Sequence, residues 1–264
     1  MNSLFGNIFN KYNLSSSIEN NHEEAYKDIK GFLEQEDLTG LDFLDAGCGV
    51  GLFSFAANKL NAKSITSFDI DAIMVENTLS LSINTKALNW RVLPGSILDK
   101  KFLNDLGTFD YVYCWGCTHH TGSMWEAIAN ISDTVRQGGH IYLGIYNNAS
   151  AFGFWDDGRF GSSQLWLKIK KFLNKKSPFF KQIVLRISFL VYKVLSLRST
   201  YKYKNYNARS MNFMVSIEDW LFGHPYEYAS VDEVFNYMTK KGFTLKRIKS
   251  NIGLRTNCYL FQKD

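Results

Sequence analysis

The sequence predicts an α/β protein: a seven-stranded, mostly parallel sheet with helices on both faces and a helical insertion. Three observations carry this prediction. Short apolar strands alternate with helical segments from residue 41 to residue 146, a basic segment without acids interrupts the alternation, and a helix and two strands resume it near the C-terminus. The 264 residues are 45% hydrophobic and 21% charged, which suits one large domain with a real core and excludes a disordered or collagen-like chain. We expect a single domain over 1–264: an N-terminal helical region (1–40), a core (41–150), a basic helical cap (151–217) and C-terminal strands that complete the sheet (218–264).

In chain order, Ser17 can cap a first helix running to about Gln35, with the polar residues Asn20 to Glu24 in its first turn. The strand 41–46, the helix 51–60, the strand 64–69 and the helix 72–82 follow. Residues 89–93, 109–115 and 140–146 read as three further strands, with a helix over 123–137 before the last. After the insertion, 230–241 reads as a helix, and strands 243–250 and 256–262 can pair across the turn at Asn251-Ile252-Gly253.

Four cysteines, at 48, 114, 117 and 258, are too few and too uneven for a disulfide framework. The N-terminus lacks the basic start and apolar core of a secretory signal. The apolar stretch 179–197 carries Lys181, Arg186 and Lys193, which disfavours a bilayer-spanning helix. A cytoplasmic protein is expected.

The net charge of +5 is unevenly spread. Residues 160–217 hold twelve basic side chains and no acid, +12 there against −7 for the rest. Wound at 100° per residue, the stretch from Phe179 gathers Ser188, Lys181, Ser196, Gln182, Lys193 and Arg186 on one side and leaves an arc of about 200° to Phe, Ile, Leu and Val. Such an amphipathic helix suits a peripheral contact with an anionic membrane through residues 164–205, or a cap over an active site, or a plainly solvated face. Aromatic residues among the lysines (Trp166, Phe172, Tyr201, Tyr203, Tyr206) also suit RNA, but no RNA-binding fold or base-methylation motif accompanies them, so nucleic acid is disfavoured.

The chemistry concentrates at Asp45-Ala46-Gly47-Cys48-Gly49-Val50-Gly51, at the carboxyl end of the first strand, where open parallel sheets bind ligands. The dinucleotide pattern G-x-G-x-x-G fails, because Leu52 or Ser54 stands where the third glycine belongs. A leading aspartate suits an ammonium group better than a phosphate. Asp69 ends the second strand at the spacing of an acid that accepts from ribose hydroxyls; capping of the next helix is the alternative, and Asp71 suits that role better. Gly95-Ser96-Ile97-Leu98-Asp99 follows the third strand, either as a ligand loop or as a plain turn.

The run at Asp45 resembles motif I of class I S-adenosylmethionine-dependent methyltransferases. Gly116-Cys117-Thr118-His119-His120-Thr121-Gly122, followed by Met124-Trp125 and later by Ile145-Tyr146-Asn147, is similar to one branch of that family. The similarity extends to Arg209-Ser210-Met211, Asp219-Trp220, Pro225-Tyr226-Glu227 and Asn257. The resemblance implies a Rossmann-like fold and S-adenosylmethionine as cofactor, with S-adenosylhomocysteine as product. Cofactor contacts are then expected from Asp45, Gly47, Cys48, Gly49, Gly51, Asp69, Ile70, Ser96, Ile97 and Trp115, with Ser96 departing from the acid common at its position. It implies a small-molecule acceptor, as in enzymes acting on quinone precursors or surface-polysaccharide sugars, held by Tyr146, Asn147, Arg209, Tyr226 and Glu227. A hydroxyl acceptor must lose a proton, which an imidazole suits; His119 is the favoured base, with His120 contacting the loop or the acceptor, and a purely structural hydrogen bond is the alternative for each. Cys114 and Cys117 beside the histidines also raise a metal or redox reading, disfavoured because Cys114 lies within an apolar strand and the pair closes a strand instead of opening a helix. Trp220 is expected in the core.

Overall fold

The computed structural model describes residues 22–33, 36–87, 89–149, 162–197, 213–251 and 253–264. An inner strand of its sheet is β1 (Asp42–Ala46), whose alternate side chains leave opposite faces of the sheet. Phe43 packs on one side against α1 (His22–Phe32) and α2 (Leu52–Lys59), through Ala25, Ile29, Leu52 and Phe55. Leu44 belongs to the core on the other side, which includes Met124 and Ile128 of α5 (Met124–Asp133) and Val234 and Met238 of α9 (Val231–Lys240). The sheet is completed by β2 (Ser64–Asp69), β3 (Trp90–Pro94), β4 (Phe109–Trp115), β5 (Val135–Tyr146), β6 (Phe243–Lys249) and β7 (Thr256–Lys263). Its order is β3-β2-β1-β4-β5-β7-β6, with β1 to β5 parallel and β7 antiparallel to both neighbours. Leu44 is fully buried, so Leu44→Ala is expected to destabilise the fold by about 2–5 kcal/mol, read as a lowered midpoint in urea.

β2 and β4 have the bounds the sequence predicts. The helix expected over 123–137 stops at Asp133, because the Thr134 hydroxyl donates to the Ile131 carbonyl at 2.7 Å and the next residue, Val135, is fully buried beside Phe109 in the sheet. β5 is therefore twelve residues long. A helix the sequence reading lacks, α4 (Lys100–Leu106), is started by Asp99, whose carboxylate accepts from Phe102 N at 3.0 Å; its seven residues are too few to set a helical period, although Phe102, Leu103 and Leu106 all pack on the core. α3 (Ala72–Asn84) connects β2 to β3. Ser17 lies outside the described residues.

The insertion is helical: α6 (Ser162–Asn174), α7 (Pro178–Leu197) and α8 (Phe213–Phe222). A small core of Leu173, Leu185, Leu221 and Phe222 joins them. Trp220 is not in the main core; it is 40% exposed and stacks on Trp166 at 3.9 Å between ring centroids. Among the described residues no helix is long and apolar enough to cross a membrane.

Candidate active site

Strand order reverses between β1 and β4, and the carboxyl ends of these strands open on a cavity of about 450 Å³, the size of a small-ligand site. Its floor is the glycine bend after β1. Gly47 has φ +72°, and a Cβ there would lie 2.6 Å from Cys117 Cβ, so neither the dihedral nor the space suits another residue. Gly47 N and Cys48 N donate to the Phe68 carbonyl at 2.9 and 3.0 Å, fixing the bend to β2.

Two carboxylates face this bend. Asp69 accepts from Gly49 N and Asp71 N, both at 2.9 Å, one on each oxygen, which leaves lone pairs on both for further donors. Burial pushes its pKa up against these amide bonds. Asp71 is the cap of α3, accepting from Ile73 N at 2.9 Å. Asp45 is 1% exposed and accepts from Ser54 Oγ at 2.6 Å; Ser54 meets Ser67 at 2.7 Å, and Ser67 accepts from Trp90 Nε1 at 2.8 Å. Burial pushes Asp45 up to about 7 despite the serine, with Asp69 adding to the shift. A cation beside these two acids would favour their charged forms.

On the far side Ser96, Ile97 and Leu98 line the cavity, with Ser96 Oγ accepting from Leu98 N at 3.2 Å; Ile70 and Cys48 also line it. Trp115 borders it and lies across Gly144, where a Cβ would meet the indole at 1.8 Å. Gly51 turns into α2 at φ +79° and does not line the cavity.

His119 and His120 occupy the short 3₁₀ turn after β4, and both border the cavity. His119 is 1% exposed, its ring 4.0 Å from Tyr146 and 4.6 Å from His120, and burial holds its pKa well below 6.5. His120 is half-buried, and its Nδ1 lies 2.7 Å from the Pro225 carbonyl. A carbonyl only accepts, so the proton sits on Nδ1 and the neutral ring keeps its lone pair on Nε2. Burial lowers the His120 pKa, while Asp219 and the Pro225 bond oppose that fall. Asp219 lines the cavity and had no place in the sequence-based site. Lys170 of the cap, fully buried, donates to the carbonyls of Gly223 at 2.9 Å and Asp219 at 3.4 Å, and burial lowers its pKa to about 8.

Of the expected acceptor residues, Tyr146 lines the cavity and three others do not. Asn147 donates to the carbonyls of Asn251 and Gly253 at 3.3 and 3.1 Å and accepts from Asn257 at 3.0 Å, joining the end of β5 to the β6–β7 turn. Glu227 accepts from Met124 N at 3.1 Å on both oxygens, satisfying the start of α5 from 103 residues away. Tyr226 is buried behind Tyr146 at 5.1 Å between rings, its hydroxyl pushed up to about 12 by burial. Arg209 lies outside the described residues. Cys114 and Cys117 are free thiols with sulfurs 3.1 Å apart, and among the described residues no three metal-ligating side chains converge.

The cavity wall contains Asp45, Asp69 and Asp219 and, among the described residues, no lysine or arginine. It therefore suits a cationic nucleoside and repels a polyphosphate. Fold and site together resemble those of class I S-adenosylmethionine-dependent methyltransferases. Residues 44–141 match the family model described as a methyltransferase domain. The chain is 35% identical over 91 residues to the ribosomal protein L11 methyltransferase of Porphyromonas gingivalis, covering 34% of this chain and 30% of that protein. It is 27% identical over 119 residues to the mitochondrial ubiquinone biosynthesis O-methyltransferase of Dictyostelium discoideum, covering 42% and 36%. The chain thus spans about a third of the length of these curated relatives. Magnesium protoporphyrin IX methyltransferase from Synechocystis PCC 6803, solved with bound SAH, shares the fold at a TM-score of 0.53 and 14% identity over 94% of this chain and 86% of that one.

Proposed function

We propose that this chain transfers a methyl group from S-adenosylmethionine to a hydroxyl of a small-molecule acceptor. The observation that carries this reading is the cavity at the strand-order reversal, walled by carboxylates and lacking a cationic side chain among the described residues. S-adenosylmethionine supplies a methyl group activated on a sulfonium. Asp45 and the bend at Gly47 and Gly49 would hold its charged methionyl end, Asp69 its ribose hydroxyls, and Ser96, Ile97 and Ile70 its base. Trp115 and Tyr146 exclude water from the reacting centre.

The acceptor proton goes to a base, and here the geometry supports His120 over His119. The bond to Pro225 holds the His120 ring with Nε2 free to accept, and the Asp219 carboxylate favours the imidazolium that forms. His119 supports the ring of Tyr146. A surface-polysaccharide sugar or its precursor is the acceptor class we propose first, with a quinone precursor second; the similarity to a ubiquinone O-methyltransferase supports oxygen as the acceptor atom.

The test is incubation with S-adenosylmethionine and panels of nucleotide sugars and hydroxylated quinone precursors, read by mass spectrometry for products heavier by one CH₂. A product in either panel supports the reading. Failure to bind S-adenosylmethionine or S-adenosylhomocysteine, together with tight binding of a nicotinamide or a nucleoside triphosphate, would overturn it.

Asp45 gives this reading a pH signature. Its pKa of about 7 without ligand leaves it largely protonated on the acid side, so a sulfonium ligand should bind more weakly as pH falls through 7 and release protons on binding. Calorimetry in buffers of different ionisation enthalpy measures both effects. Affinity independent of pH between about pH 6 and 8 would contradict the assignment.

A further inference from the structure

The cap carries an apolar surface that the cavity does not use. α7 turns Val184 and Leu185 inward, toward Leu173, Leu221 and Phe222. Its outward face presents Phe179, Ile183, Ile187, Leu190, Val191 and Val194, each between 40% and 76% exposed. At 100° per residue these six fall within an arc of about 120°, so they form one continuous stripe along the helix. A soluble surface rarely leaves such a stripe uncovered.

The surrounding charge identifies what fits it. Residues 162–197 contain eight basic side chains and no acidic one. Exposed Arg186 borders the stripe, and α6 presents Lys168 and Lys171 around exposed Leu165 and Phe172, with exposed Lys175 just after its end. A second copy packed stripe to stripe would bring two such positive caps together, which like charge opposes. A bilayer rich in anionic lipid offers both complements at once: acyl chains for the stripe and negative headgroups for the lysines. We propose that α7 lies in the interfacial plane of an anionic membrane, its exposed stripe inserted at the headgroup boundary. Lys170, bonded to Gly223 and Asp219, then couples the docked cap to the cavity rim. The proposal does not require the methyl-transfer reading and can fail separately from it.

The test is co-sedimentation of the full chain with vesicles of phosphatidylcholine alone and of phosphatidylcholine with one-third phosphatidylglycerol. Binding to the anionic vesicles should be at least about tenfold stronger and should weaken as salt is raised. The variant Ile187→Glu with Leu190→Glu changes exposed positions only and should lose about tenfold of that binding while keeping its circular dichroism. Unchanged binding of this variant, or equal binding to both vesicle types, would overturn the proposal. So would a chain that ignores vesicles but sediments as a dimer dissociated by the same two substitutions, since the stripe would then belong to a second copy.

Discussion

Replacing His120 by alanine is expected to lower turnover by about 10²- to 10⁴-fold, the range for loss of a positioned general base, while cofactor affinity stays within a few-fold. The expectation rests on the bond between Nδ1 and the Pro225 carbonyl, which fixes both the tautomer and the orientation of the ring. The pH profile carries a second signature. Burial lowers the pKa of His120, so the ring is neutral and able to accept a proton at pH 7, and activity should fall only as acidity protonates it, with the limb below the ordinary 6.5. Asp219→Asn removes the group that opposes this fall, so it should move the acid limb lower still and reduce turnover less than His120→Ala. His119→Ala should differ in kind: its buried ring packs between Tyr146 and His120, so the main loss is expected in the midpoint of thermal unfolding. These outcomes are read from kcat and kcat/KM profiles of the three variants with an identified acceptor and from thermal unfolding of His119→Ala. An alanine variant at 120 that keeps more than about a tenth of parental turnover would remove the ring from the chemistry.

The contrast between the two histidines also marks where the sequence stops being readable. Adjacent residues of one type in one short turn are equivalent in sequence. What separates them is the Pro225 carbonyl, 105 residues away. The same holds for Asn147 and Glu227, which look like acceptor ligands because amides and carboxylates bind substrates and close turns with the same atoms. Their partners, Asn251 and the start of α5, lie more than a hundred residues off in sequence. By contrast, β2 and β4 are rich in β-branched and aromatic residues, Ile65, Thr66 and Phe68 in one and Tyr111, Val112, Tyr113 and Trp115 in the other, and local composition suffices. Asp69 and Asp71 were separable for a local reason too: only the second stands immediately before the first residue of α3, in the N-cap position. The cap lies between these cases. Its helical register yields the apolar arc of α7, but which way the arc turns depends on Leu185 docking against α8.

The glycine bend offers the other large effect. Gly47→Val is expected to weaken S-adenosylmethionine binding by at least about 100-fold, because two separate penalties fall on the segment that lines the cavity floor. A φ of +72° costs a residue with a Cβ roughly 1–2 kcal/mol, and more when the side chain is β-branched. Its Cβ would also stand 2.6 Å from Cys117 Cβ and 2.9 Å from Cys117 Sγ, so the bend or the loop after β4 must move. Movement of the bend strains the bonds from Gly47 N and Cys48 N to Phe68 and displaces Gly49 N from Asp69, disturbing the candidate ribose carboxylate from a distance. The two penalties separate by design. In Gly47→Ala combined with Cys117→Gly the contact is gone and the dihedral cost remains, so affinity should recover in part; in Gly47→Ala combined with Cys117→Ser the opposing Cβ remains and little should return. Titration calorimetry with S-adenosylhomocysteine, alongside urea unfolding of each variant, distinguishes lost binding from lost folding. Equal affinity in both double variants would mean that the crowding against Cys117 does not hold the bend, and parental affinity in Gly47→Val would mean that the bend does not form the cofactor floor.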